Sequence, residues 1–173
     1  MTVDLSAVGL VMLASTAAAT DVAWRRIPNA LTLTGLIVAL GLRALGGGPA
    51  VLDGLAGAGM GLALAFPLFA LGGMGGGDVK LITAVGAFLG PIQLTYALLA
   101  TALIGGLFAL IVSARRGALR RVVRSSGGVA ATLFAGLAMR ADLKSLPTLE
   151  TEGAIRIPYG VPIALGAVFG LVA

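Results

Sequence analysis

The chain contains no cysteine and no histidine among its 173 residues. Without cysteine there are no disulfides and no thiolate nucleophile. Without either residue, the usual zinc sites and the serine–histidine mode of nucleophile activation are excluded. Charge is scarce too: Asp, Glu, Lys and Arg make up 11% of the residues, against roughly 25% in soluble domains. In its place stand 58% hydrophobic residues and a mean hydropathy of +1.06. This balance identifies an integral membrane protein, and any catalysis falls to carboxylates, lysines or hydroxyls.

Apolar runs long enough, or nearly so, to cross a hydrocarbon core of ~30 Å occur at Leu5–Thr20, Ala30–Leu45, Val51–Leu71, Ile92–Ala114 and Ile157–Ala173, with a shorter one at Val79–Leu89. If the short run also crosses, the fold is all-α, a polytopic membrane protein built as a six-transmembrane-helix bundle. It forms one domain over residues 1–173, with a cytoplasmic basic segment at about 115–156. The first run ends in "ASTAAAT", small residues that suit a signal peptidase. However, "MTVDLS" has no basic n-region and Arg25 and Arg26 follow the run, so it reads as a retained helix with its N-terminus outside.

From that start, Asp21–Asn29, Gly72–Lys80 and Arg115–Arg156 fall on the cytoplasmic side of the inner membrane, and the C-terminus falls outside. Those segments hold every Lys and Arg except Arg43. The bias is the positive-inside pattern, and it reverses if Val79–Leu89 does not cross.

Small residues four apart, Gly57 with Gly61, Gly86 with Gly90 and Gly166 with Gly170, predict close helix contacts. Pro67, inside the third helix, is expected to kink or loosen it before the glycine-rich turn. The run "ARRGALRRVVRSS" would suit nucleic acid in a soluble protein. Beside these apolar helices it reads instead as a topology signal lying on anionic lipid headgroups, with no nucleic-acid partner. Val129–Met139 reads as an interfacial or bundle-capping helix.

Topology sorts the five aspartates. Asp4 lies at the outer terminus, Asp53 at the outer start of the third helix, and Asp142 beside Arg140 and Lys144; orientation, helix-end charge and a surface ion pair account for them. Asp21 and Asp78 both fall at cytoplasmic helix boundaries, so an antiparallel bundle brings them to one level. Each has an ordinary reading alone, Asp21 as a partner of Arg25 one turn later and Asp78 as an N-cap.

The stretch "GGMGGGDVKL", Gly72–Leu81, adds a further clue. Gly75, Gly76 and Gly77 lack Cβ atoms, so the backbone there is free to take unusual conformations and to let an extended peptide lie beside Asp78. Two carboxylates a few Å apart share a proton, one serving as base towards water while the other polarises a carbonyl, which is aspartyl-protease chemistry.

These residues also carry a resemblance. Gly75-x-Gly77-Asp78 resembles the GxGD motif of membrane-embedded aspartyl proteases, and "VKL" after it matches the prepilin peptidase branch. "RRIPNALT", from Arg25, resembles the sequence that follows the first catalytic aspartate in that branch. "RIPYGVPIA", from Arg156, resembles the last-helix motif of its short CpaA/TadV-type members. Presenilin and signal-peptide-peptidase relatives share GxGD, but their PAL motif is not found in this chain.

The resemblance implies that Asp21 and Asp78 are the catalytic pair. It also implies a type IV prepilin substrate of the Flp kind, cut at the cytoplasmic face after a glycine ending a short basic leader, with the pilus-assembly machinery as a candidate partner. The long members carry a cysteine-containing insert between their first two helices. Here a short turn stands in its place, so neither their N-methylation activity nor zinc is carried over, and no cofactor is expected.

Further roles follow residue by residue. Gly75 and Gly77 shape the backbone beside the substrate. Lys80 either keeps Asp78 ionised or is a snorkelling, topology-setting lysine. Pro28 and Asn29 start the second helix as turn and cap. Pro158 and Tyr159 either line a substrate groove or anchor the chain at the interface. The alternatives to a protease are a small ion- or proton-coupled transporter or channel subunit using paired carboxylates, and a structural assembly protein in which both acids are dispensable. A Ser-Lys peptidase is disfavoured, because Lys80 and Lys144 fall on the cytoplasmic side.

Overall fold

The computed structural model describes residues 4–115 and 159–173, and among them the chain is all helical. Six helices follow in order: α1 Leu5–Trp24, α2 Asn29–Ala44, α3 Gly48–Ala70, α4 Gly76–Leu89, α5 Pro91–Arg115 and α6 Gly160–Val172. The expected Val129–Met139 helix, Asp142 and Pro158 lie outside the described residues.

Local chemistry sets the boundaries. Asp4 caps α1 by accepting the Ser6 N–H at 2.9 Å. Arg25 ends it in a left-handed conformation (φ 51°), its N–H returning to the Asp21 carbonyl. Pro28, held extended, delivers the chain into α2. Left-handed Gly72 turns the chain out of α3, and left-handed Gly90 with Pro91 makes the corner between α4 and α5. Pro67 lies inside α3, which runs one further turn to Ala70 and ends there, with the Leu71 N–H bonded to the Pro67 carbonyl.

α4 is the hub. α1, α2, α3, α5 and α6 form a ring around it in that order, each packed on its ring neighbours, and α4 touches all five. Ten of its fourteen residues are buried, among them Leu81, Val85 and Phe88. At 1.5 Å per residue it is about 21 Å long, short for a ~30 Å core. Among the described residues three stretches are long and apolar enough to span on their own: Leu5–Trp24, Gly48–Ala70 and Pro91–Ile111. The other three helices are shorter, α2 with 16 residues, α4 with 14 and α6 with 13.

The glycine spacing works as expected at the helix crossings. A Cβ on Gly57 would overlap the Gly86 carbonyl and come within 2.8 Å of the Gly90 Cα, while one on Gly61 would sit 2.9 Å from the Ile82 carbonyl oxygen. Gly170 meets the Gln93 carbonyl on α5 in the same way at 2.7 Å. In lipid, where apolar surface gains nothing by leaving solvent, backbone approach of this kind supplies dispersion contact that larger residues would forbid. Gly57→Val should therefore lower the thermal stability of the detergent-solubilised protein by about 1–3 kcal/mol, the usual cost of overpacking. Gly59→Val, with no neighbour within 4 Å, should melt like the parent. Equal melting of the two variants would contradict the close α3–α4 crossing.

The end of the bundle where α2 and α4 finish is closed by Arg43. Its guanidinium donates to Asp53 Oδ2 at 2.6 Å, to the Phe88 carbonyl at 2.9 Å and to the Ala50 carbonyl at 3.2 Å. Asp53 thus acts as an ion-pair partner rather than as a charge in the first turn of α3, which holds no acidic residue. The pair ties α2, α3 and α4 together far from the candidate site.

Candidate active site

At the opposite end, α1 and α4 each contribute a carboxylate. Asp21 is 7% exposed and Asp78 9% exposed, and both line one cavity of about 530 Å³. The rest of its wall is Trp24 to Asn29 from the α1–α2 connection and Gly75 to Gly77 from the start of α4. The two acids singled out from the sequence are thus brought together, and among the described residues they are the only acidic side chains of this cavity. Buried carboxylates require partners, and the structure supplies them from the backbone.

Asp21 lies inside the last turn of α1, which continues one turn beyond the expected run. Its Oδ2 accepts the Gly160 N–H at 2.8 Å, a buried bond between chain segments at opposite ends of the sequence. Among the described residues Arg25 makes no ion pair with it; Arg25 contributes its backbone N–H to the Asp21 carbonyl instead.

Asp78 is not an N-cap. Gly75 is the cap, and Asp78, at the third helical position, reaches back to accept the Gly75 N–H at 3.2 Å. This is the carboxylate half of a capping box.

Helix polarity gives the site its field. α2, α4 and α6 all begin at this end, so three helix N-termini converge here, and their unpaired N–H groups and dipoles favour negative charge. Two carboxylates lining one cavity in such a field form an arrangement able to act on water and a carbonyl together.

The glycines serve close packing rather than unusual backbone. Gly75 is extended, and Gly76 and Gly77 are already helical. Their expected conformational freedom belongs to Gly72, the left-handed one. A Cβ on Gly77 would press on Ile27 Cβ at 3.2 Å, and one on Gly75 on Asp78 Oδ2 at 3.1 Å. Glycine there lets the α1–α2 connection lie directly against the first turn of α4.

Lys80 does not bond Asp78. Its Nζ donates to Asn29 Oδ1 at 2.8 Å. Asn29 accordingly spends its side chain on α4, leaving Pro28 as the cap of α2 with no side-chain bond. Tyr159, half-buried, packs on the core at the N-cap of α6 and is not part of the cavity wall.

The residue that sequence reasoning missed is Gly160. It stands inside the Ile157–Ala173 run and the "RIPYGVPIA" stretch, but a glycine at a helix start reads as a turn, and no local pattern links it to Asp21.

The sequence model of the type IV leader peptidase family matches residues 8–110, a stretch containing both aspartates and every described residue of the cavity wall. No match was found with a curated protein or with a solved structure.

Proposed function

The chain belongs to the type IV leader peptidase family, a family of proteases, and on that premise we propose that it is a membrane aspartyl endopeptidase that removes the leader of type IV prepilins, of the Flp kind, with Asp21 and Asp78 as its catalytic pair. One observation carries the reading: two buried carboxylates, from helices far apart in the chain, face the same cavity beside a glycine-packed helix start.

In the working state one carboxylate takes a proton from water as the oxygen attacks the scissile carbonyl carbon. The other, protonated, donates to the carbonyl oxygen. The tetrahedral intermediate then collapses: the C–N bond breaks, the departing nitrogen receives the proton taken from water, and the proton lent to the carbonyl oxygen returns to the second carboxylate. Gly160 N–H and Gly75 N–H hold the two side chains in place throughout. Which aspartate begins as base belongs to the pair as a whole, since the two groups exchange one proton. The Asp21 region, with Gly75 and Gly77, forms the surface on which the substrate backbone lies.

We place all six helices across the inner membrane with both termini outside, so that the cavity opens to the cytoplasm. Arg25, Arg26 and Lys80 all belong to the cavity end, which fits the positive-inside rule. The chain lacks cysteine, so single cysteines report cleanly. An impermeant thiol reagent applied to intact spheroplasts should label Leu45→Cys, at the Arg43 end, and spare Gly73→Cys, in the turn before α4. The reverse labelling would turn the cavity outward and defeat the cytoplasmic reading.

The activity itself is tested by co-expressing the protein with a Flp-type prepilin and following its electrophoretic mobility. A shift to the mature size is expected. An unshifted substrate panel, with the protein inserted and folded, would defeat the proposal.

A further inference from the structure

Asp21 and Asp78 reach the cavity from α1 and α4, yet α1 packs mainly on α6 and α2 and only lightly on α4. The spacing of the carboxylates is therefore set indirectly, by whatever holds the α1–α2 connection against α4. That connection is short and stiff. Arg25 is the only non-glycine residue with positive φ among those described, its N–H is tied to the Asp21 carbonyl at 2.8 Å, and Pro28 fixes the approach to α2. Two attachments then fasten it to α4. Ile27, 8% exposed, lies against Gly77, and Asn29 accepts from Lys80 at 2.8 Å.

Lys80 follows Asp78 by two positions, and residues two apart on a helix do not share a face. Its ammonium is thus directed to α2 while the Asp78 carboxylate is directed to the cavity. A lysine whose only task was to reach the headgroups would have no need of a defined partner on another helix.

We infer that the Lys80–Asn29 hydrogen bond is a positioning clamp, locking the start of α2 to the first turns of α4 and thereby setting the separation of the two carboxylates. Asn29 belongs to the cavity wall, but its side-chain oxygen is taken up by Lys80, and the role assigned to both is positioning. Apolar packing of Ile27 on Gly77 resists approach of the two segments, and the clamp resists their separation, so the two attachments together define one distance. Calling that distance catalytic rests on the aspartyl reading proposed above; the existence of the clamp does not.

The experiment therefore has two readouts. In this cysteine-free chain, spin labels at Arg26→Cys, in the cavity wall, and Gly73→Cys, in the turn before α4, should give a narrow distance distribution in the parent. Asn29→Ala and Lys80→Met should each broaden it to the same extent, the double variant no further, and Lys80→Arg should restore it. In prepilin cleavage, with the native residues at positions 26 and 73, the same single variants should lower kcat about tenfold with KM changed by less than about twofold. The double variant should match the singles, as expected for two ends of one interaction.

An unchanged distance distribution in both single variants overturns the clamp whether or not the protein cleaves prepilins. So does normal cleavage by Asn29→Ala alongside impaired cleavage by Lys80→Met, which would assign the lysine to substrate or headgroup. If the distances respond as stated while no prepilin is cleaved even by the parent, the clamp stands and the aspartyl reading fails.

Discussion

Prepilin cleavage is expected to fall by at least about a thousandfold in Asp21→Asn and equally in Asp78→Asn, with insertion and expression preserved. Asparagine is nearly isosteric with aspartate and still accepts the Gly160 or Gly75 N–H, so the cavity wall stays in place. It cannot take a proton from water or pass one to a carbonyl, and general acid–base catalysis contributes about 10²–10⁴-fold at each step. The losses should not multiply. When two groups work as one device, removal of either costs nearly the whole, and the double variant should match each single one.

Asp53→Asn is the natural control. That residue sits at the far end of the bundle, half-exposed and paired with Arg43, and should cleave like the parent. Wild-type cleavage by either Asp21→Asn or Asp78→Asn would end the aspartyl mechanism.

The second large effect belongs to Gly160. A methyl group there would lie 2.8 Å from Asp21 Cβ and 2.9 Å from its Oδ2, closer than packed atoms approach. Either the Asp21 side chain or the start of α6 must move. The buried N–H bond at 2.8 Å that orients the carboxylate is lost or bent in the process. Misplacement of a catalytic group by about 1 Å costs on the order of a hundredfold, and Gly160→Ala should lose about that much activity, chiefly in kcat. Gly105→Ala, whose added Cβ would meet Pro162 at an ordinary 3.6 Å, should remain near the parent. Activity of Gly160→Ala within twofold of the parent would show that the α6 contact does not orient Asp21.

The position of Gly160 beyond residue 110 also matters for what carries function. The stretch that matches the family model ends within α5, yet a ligand of one carboxylate comes from α6. A fragment ending at residue 110 would leave Asp21 without its buried partner and α1 without one of its main packing surfaces.

By itself the sequence determined the membrane class, the number and order of the described helices, and the identity of the two acids that meet. These rest on one-dimensional signals: composition, run length, the one-sided placement of Lys and Arg, and carboxylates at same-level helix ends. Glycine at four-residue spacing likewise foretold close helix contacts, because a small residue at a crossing matters whichever partner lies opposite; that α3 meets α4 there came from the structure.

Only the tertiary structure decided the partners. Lys80 and Asp78 are neighbours in sequence and Asn29 is far from both, yet the helical twist sends Lys80 to Asn29. Asp53 could equally have served its own helix end, and it is the arrival of Arg43 from α2 that makes it an ion pair. α4 looked too short to span because hydropathy judges a helix by its own length, whereas this one is buried on all sides by five others. Gly160 was invisible for the same reason. A backbone N–H carries no residue-specific signal, and its bond to Asp21 exists only because the ring of helices closes α6 against α1.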